Sequence, residues 1–339
     1  MKVVTFGEIM LRLAPEGYLR FVQAEKFNAT YGGAESNVSV SLANYGLDSV
    51  FVTKLPDNEI GNAALNSLRR YGVNTSSIVR GGKRVGIYYL EKGASQRSSK
   101  VIYDRAYSSI SEADINDFDW DKIFDAANHF HFTGITPALS SNCYELCKVA
   151  LKSAKSHGLT VSCDLNYRKN LWTREQAGKA MRTLMPYVDI CIANEEDAAD
   201  VFGIVADHTD ITQGKLDNDS YYKVAKRLKE EFGFKYVAIT LRSSRSANDN
   251  DWAAILYDGE RVYTSKKYSI HIVDRVGGGD SFGAGLIYSL LMKYEPQAVI
   301  EFATAASCLK HSIEGDYNLV SVAEVLRLAG GDGSGRVHR

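Results

Sequence analysis

The stretch DRVGGGDSFGAG, Asp274 to Gly285, sets three consecutive glycines directly before an aspartate and then enters an apolar segment, Phe282 to Met292, that reads as a helix. Glycine has no Cβ atom, so Gly277, Gly278 and Gly279 can turn sharply and present successive backbone N–H groups to an anion. The start of the following helix adds partial positive charge at the same place. In that setting Asp280 is a candidate general base for a hydroxyl proton, while the N–H groups stabilise charge on a transferring phosphoryl group. A second reading fits the same residues: a glycine turn with Asp280 as the helix N-cap. The stretch lacks the lysine of G-x-x-x-x-G-K-[ST], and Phe282 stands where G-x-G-x-x-G needs its last glycine, which disfavours both ordinary nucleotide loops.

Outward from this loop, strand-like runs alternate with helix-period segments: Val3 to Ile9, Ser49 to Lys54, His129 to Thr133, Thr160 to Asp164, Asp189 to Ala193 and Tyr236 to Leu241. Such alternation predicts an α/β fold, a mostly parallel sheet covered by helices. Gly46, Gly72, Gly158 and Gly203 follow apolar-periodic stretches and read as helix C-terminal caps. Two segments break the pattern, at about 11–31 and 84–105. The second, GIYYLEKGASQRSSKVIY, reads as two strands joined by a polar, glycine-containing turn. A small sheet folded over the ligand-binding ends of the main strands would serve as a lid; a peripheral hairpin is the plainer alternative. The reading is one α/β domain over 1–329, with a glycine-rich, flexible tail at 330–339.

With 339 residues and 45% hydrophobic composition the chain can bury a large core. A net charge of −1 offers no basic field for nucleic acid, and a small-molecule partner is favoured. No run resembles a signal peptide or approaches about 18 apolar residues, so we expect a soluble, cytoplasmic protein without membrane attachment. The five cysteines, Cys143, Cys147, Cys163, Cys191 and Cys308, lack paired C-x-x-C spacing and read as reduced core thiols. The seven histidines show no zinc-ligand spacing.

YGGAESN, Tyr31 to Asn37, taken together with DRVGGGDSFGAG, resembles the paired signatures of the ribokinase or PfkB family of sugar kinases, and NEED, Asn194 to Asp197, resembles the family's N-x-x-E motif. The resemblance covers essentially the whole chain. GIYYLEKG, VIYDRAYS, DLNYRKNLW and LKHSIEGDYNLVS are more similar to the 2-keto-3-deoxygluconate kinases of that family than to its fructokinases or ribokinases. The resemblance implies a ribokinase-like, Rossmann-like three-layer αβα domain with a β-sheet lid. It implies ATP with Mg²⁺, Asp280 as the base that deprotonates the sugar's terminal hydroxyl, and Gly277, Gly278 and Gly279 as the anion hole. The expected reaction is phosphorylation of 2-keto-3-deoxy-D-gluconate to its 6-phosphate. A neutral-sugar kinase is the runner-up, and a non-catalytic sugar-acid sensor the alternative from another class.

A keto acid carries a carboxylate that a neutral hexose lacks, and arginine matches it with two-pronged, charge-assisted hydrogen bonds. By resemblance Gly33, Asn37, Tyr89, Tyr103, Arg105 and Arg168 hold the substrate with Asp280. Alternation along a strand predicts that Tyr88 and Tyr89 face opposite ways. Asn194 and Asp197 are candidate Mg²⁺ ligands; Asp197 departs from the family's usual Glu, and Glu196 is its substitute. After the strand ending at Thr240 the family's glycine-containing turn is replaced by LRSSRSANDNDW. Thr240 and Arg242 are assigned to phosphate there, with Asn194, Gly277 and Gly279, and Ser307 and His311 to the adenine. Beside the Asp274 loop the sequence leaves room for a monovalent cation without requiring one, and the resemblance implies a homodimer formed through the lid.

Overall fold

The computed structural model describes residues 1–194, 196–205, 218–333 and 335. Its centre is a ten-stranded sheet. Six successive pairings are parallel and join, in spatial order, Tyr236–Ser244, Ile190–Ala193, Thr160–Asp164, His129–Thr133, Lys2–Phe6, Asp48–Leu55 and Ile78–Arg80. Strands of such a sheet are covered on both faces and read as continuous apolar runs, which is why His129–Thr133 is buried at every position. His129 and His131 accommodate this by sharing the Ser162 hydroxyl, at 2.7 and 2.8 Å. Loss of water pushes both imidazoles down to about 3, so both are neutral at physiological pH.

The sheet is extended by an antiparallel part that the sequence reading did not include. Tyr236–Ser244 runs past Leu241 and pairs with Asp249–Tyr257, which in turn pairs with Val262–Thr264 and Tyr268–His271. LRSSRSANDNDW is therefore a hairpin and its tip. Ser246 closes that tip by accepting the N–H groups of Asn248 and Asp249.

Helices cover both faces. On one, Cys143, Leu146, Cys147 and Ala150 of Ser141–Ser156 pack on Phe130, Phe132, Val161 and Cys163. On the other, Phe282 and Leu286 of Gly278–Leu291 and Ala303 of Pro296–Lys310 pack on Ile192, Ala238 and Leu256. These two helices approach so closely that a Cβ on Gly285 would lie 2.9 Å from the Ala303 Cα. Truncating Leu286, fully buried here, is expected to destabilise the fold by about 2–5 kcal/mol, read as a shifted midpoint in urea. Gly46, Gly72, Gly158 and Gly203 have φ of 86°, 76°, 71° and 71°, the left-handed conformation of helix C-caps. Four cysteines are buried thiols and Cys308 is half-buried. No described helix is long and apolar enough to cross a membrane.

A separate four-stranded sheet, ordered Asn28–Gly32, Met10–Ala14, Gly86–Glu91, Lys100–Asp104, is built from the two segments that broke the alternation. Its edge strand leaves Val101, Ile102 and Tyr103 exposed, the apolar edge on which the expectation of a lid-mediated dimer rests. The start of the tail is tied down, since Gly330, Gly331 and Asp332 donate to carbonyls of the preceding helix. Ser334 and 336–339, like Glu195 of the NEED segment, lie outside the described residues.

Candidate active site

Parallel α/β sheets bind ligands beyond the C-terminal ends of their strands. A cleft of about 440 Å³ opens there, between the two sheets. Its lining takes Asp164 from one strand end, Asn194 from just beyond the next, and Thr240 from the third. The small sheet supplies Met10, Tyr88, Tyr103 and Arg105.

At the cleft floor the helix expected from Phe282 begins instead at Gly278, with Gly277 as its N-cap at φ 82°. A Cβ at Gly277 would lie 2.0 Å from the Asp316 carbonyl oxygen, so both conformation and space require glycine. The capping reading of Asp280 is thereby corrected: Asp280 sits inside the first turn and makes no capping bond. The first backbone bond of the helix runs from the Ser281 N–H to the Gly277 carbonyl, so the N–H groups of Gly279 and Asp280 have no intrahelical partner. A Cβ on Gly279 would meet nothing within 4 Å. Gly278 is held from behind: its carbonyl oxygen accepts the Ser307 hydroxyl at 2.7 Å, and a Cβ at this position would lie 2.5 Å from the His311 ring.

Asp280 accepts a hydrogen bond from the Asn37 amide at 2.7 Å, across 243 residues of sequence. Asn37 in turn accepts the Gly33 N–H at 3.2 Å. Thus YGGAESN and DRVGGGDSFGAG meet at the carboxylate. Removal of water pushes the Asp280 carboxyl up to about 7, with Glu35 and Asp316 adding to the shift and the Asn37 bond opposing it. Glu35 itself is buried, raised by that burial, and accepts from the Thr133 and Thr136 hydroxyls at 2.7 and 2.6 Å.

The substrate-side expectations divide. Gly33, Asn37, Tyr103, Arg105 and Arg168 all line the cleft. Tyr89 does not: it packs edge-on to Phe27 at 6.0 Å, on the other face of the small sheet. Tyr88 takes the cleft side, and its hydroxyl donates to Asp316 at 2.6 Å. The two tyrosines do alternate, so the cleft tyrosine of that pair is Tyr88, chosen by strand register against Arg12. Arg105 bonds Glu8 through Nε at 2.8 Å and stacks over the Tyr103 ring at 5.3 Å. Arg168 donates to the Tyr167 carbonyl at 3.0 Å. Between Asp164 and Arg168 the chain turns at Asn166, whose φ of 40° is a left-handed conformation that asparagine tolerates.

Of the residues expected on the nucleotide side, Asn194, Asp197, Thr240, Arg242, Gly277, Gly279 and His311 line the cleft. Ser307 does not; it is fully buried behind Gly278, a position that periodicity alone cannot separate from the exposed face. The ring of Trp252 lies 5.0 Å from that of His311. Asp197 accepts the N–H groups of Asn194 and Tyr167 at 3.0 and 3.1 Å, joining the NEED and DLNYR segments. Glu196 is exposed and does not line the cleft, so Asp197 is the acid of this segment that does. Asp164, which the sequence reading did not single out, lines the cleft nearby. Burial and the Asp197 and Asp280 carboxylates raise its pKa well above the ordinary range. Among the described residues no group of three or more His, Cys, Asp or Glu forms a metal cage.

A second ionic group lies beneath the glycine loop. Arg12, buried on the small sheet, pairs with Asp274 at 2.5 Å and Asp316 at 2.7 Å. Burial alone would lower the Arg12 pKa, but Asp316 and Asp274 outweigh it and raise it.

A carboxylate of raised pKa beside open helix N–H groups, in a cleft that a second sheet overhangs, is the equipment of a small-molecule phosphotransferase. The chain belongs to the pfkB family of carbohydrate kinases, whose model matches residues 1–321. A 2-dehydro-3-deoxygalactonokinase from Haloferax volcanii is 34% identical over 333 residues, 98% of each chain. A crystal structure of 2-dehydro-3-deoxygluconokinase from Thermotoga maritima is 53% identical, with a TM-score of 0.95 over 98% of this chain and 100% of that one. An Escherichia coli structure in complex with ATP and Mg²⁺ shares the fold at 19% identity, with a TM-score of 0.80 over 97% of this chain and 99% of that one.

Proposed function

We propose that this kinase transfers a phosphoryl group from ATP to the terminal hydroxyl of 2-keto-3-deoxygluconate, giving the 6-phosphate. The observation that carries the reading is the meeting, in one cleft, of Asp280 with the glycine turn and of two arginines, Arg105 and Arg168, with Tyr103. The names of two similar proteins, a 2-dehydro-3-deoxygalactonokinase and a 2-dehydro-3-deoxygluconokinase, support the substrate class.

The residues fit a nucleotide with Mg²⁺. The turn is held tightly at Gly277 and Gly278, where a Cβ would meet Asp316 and His311, and opens at Gly279, where a Cβ would meet nothing within 4 Å, which leaves space for a phosphate. Magnesium bound chiefly through phosphate oxygens and water needs only one or two protein carboxylates, and Asp164 and Asp197 both face the cleft. When bound, ATP with Mg²⁺ supplies the phosphoryl group and neutralises its charge. The protein's part is positional. Asp280 accepts the hydroxyl proton as the new O–P bond forms, and the N–H groups of Gly279 and Asp280 hold the negative oxygens. Arg168 and Arg105 fix the far end of the acid.

The Arg105–Glu8 pair favours a second reading, a neutral-sugar kinase, because it leaves Arg168 as the less engaged guanidinium. Two arginines acting on a carboxylate predict that Arg168→Ala raises KM for the keto acid by about 10- to 100-fold, with the smaller loss for Arg105→Ala. Steady-state kinetics on purified variants checks this; unchanged KM for both variants would leave the acid without its recognition. An ADP-release panel of both C4-epimeric keto acids, fructose and ribose tests the function as a whole. Turnover of the neutral sugars alone overturns the substrate, and ligand binding without ADP release would indicate a sensor.

A further inference from the structure

Lys310 is the last residue of Pro296–Lys310 and is completely buried, although a lysine is among the residues least often found inside a protein. Its stem passes beneath the glycine turn, since a Cβ on Gly277 would lie 3.2 Å from the Lys310 Cε. Its ammonium donates to two backbone carbonyls, those of Asp274 at 3.3 Å and Ile313 at 3.1 Å. Carbonyl oxygens converging on one point are the donor type that takes monovalent cations. The Asp274 carboxylate closes the same loop, accepting the N–H groups of Val276 and Gly315, both at 3.1 Å.

The charges around this point balance. Asp274 and Asp316 are two buried carboxylates. Arg12 provides one positive charge through its bonds to both, and Lys310 provides the second. Burial lowers the Lys310 pKa, while Asp274 and Asp316 oppose the shift and favour the charged form. Without the ammonium the group would carry one net negative charge in a dry interior, and two carbonyls would lose their partner.

We propose that the Lys310 ammonium is the resident cation of the Asp274–Gly277 loop, so that this kinase works without a dissociable monovalent cation. Lys310 is a positioning residue: it fixes the turn whose N–H groups face the cleft and does not itself line it. The inference rests on reading that turn as the anion-binding loop.

Wild-type enzyme is assayed with potassium, sodium or tetramethylammonium as the only monovalent cation. Turnover is expected to agree within about twofold among the three, because no cation-binding step is linked to the active state. Lys310→Ala in tetramethylammonium is expected to lose about 10²-fold in kcat with little change in KM for the sugar acid, the size of effect seen when an oxyanion donor is misplaced. Potassium or ammonium should restore at least about tenfold of that loss and raise the melting temperature of this variant, but not of the wild type, above its value in tetramethylammonium. Lys310→Met, which fills the space without charge, should be slow and not rescued.

Stimulation of the wild type by potassium severalfold over tetramethylammonium would overturn the proposal. So would a Lys310→Ala enzyme of wild-type kcat, or a folded one whose melting and turnover ignore potassium. If neither variant folds, the wild-type salt series decides alone. Melting reads cation binding whether or not the turn binds phosphate, which separates failure of this inference from failure of the kinase reading.

Discussion

Asp280→Asn is expected to lower kcat by about 10²- to 10⁴-fold, the usual contribution of a positioned base, while changing KM for the sugar much less. The amide keeps the shape and can still meet Asn37, but it cannot take the hydroxyl proton. As the proposed base, Asp280 must be ionised in the wild type. With its carboxyl pushed up to about 7, kcat/KM should be lost as pH falls through that region, and the acid limb should vanish in the variant. The same shift has an opposite signature in stability. The folded pKa lies above the unfolded value, so the folded state holds a proton that the unfolded chain releases. The stability this contributes is present at low pH and is lost as pH rises through about 7. Asp280→Asn should therefore be more stable than wild type at pH 8 and lose that advantage towards pH 5, read by urea titration at both values. A variant that is inactive and also less stable at pH 8 would contradict the burial argument for the raised pKa.

Arg12→Ala should be the most destabilising single change at the site, by about 3–5 kcal/mol, because it leaves two buried carboxylates without their counter-charge. Both bonds are short and both acids are almost fully buried. Loss of the guanidinium frees Asp274 at the root of the glycine turn, and Asp316, which holds the Tyr88 hydroxyl. Activity should fall with stability. Arg12→Lys tests the mechanism: it retains one charge but cannot reach both acids with a planar fork, so it should recover stability only in part. A drop below about 1 kcal/mol for Arg12→Ala, the range of an exposed ion pair, would show that the buried charges are not what holds these elements together.

Much of the molecule was legible in the sequence because it obeys local rules. His129–Thr133 and Thr160–Asp164 begin and end where the pattern places them, since strands covered on both faces are continuous in apolar or compact residues. The antiparallel extension was not legible, because Asp249–Tyr257 opens with Asp249, Asn250 and Asp251, polar residues that read as loop although Asn250 and Asp251 pair with Ser244 and Ser243 in the hairpin. The site shows the same division. The glycine turn and Asp280 could be read from spacing, whereas the depth of the helix start could not: Gly277 moves it to Gly278 and takes Asp280 off the cap position.

Long-range facts were invisible for a related reason. Arg12 looks like any polar residue in a lid strand until Asp274 and Asp316, 262 and 304 residues away, come to meet it. That pairing fixes which of Tyr88 and Tyr89 turns inward, a choice that alternation leaves open. Ser307 lies one helical turn from His311, yet only packing shows that it braces Gly278 from behind.

The bond between Asn37 and Asp280 has a consequence for how activity arises during synthesis. The carboxylate's environment is assembled from residue 37, residue 280 and, through the neighbouring Asp316, nearly the last structured segment of the chain. A growing polypeptide can form the early parallel pairings among Lys2–Phe6, Asp48–Leu55 and His129–Thr133 without any of the later groups. It cannot complete the surroundings of Asp280, the proposed base, until the end has emerged and closed against the beginning. Turnover would then serve as a stringent reporter of complete folding, silent in every C-terminally shortened intermediate that ends before Asp316.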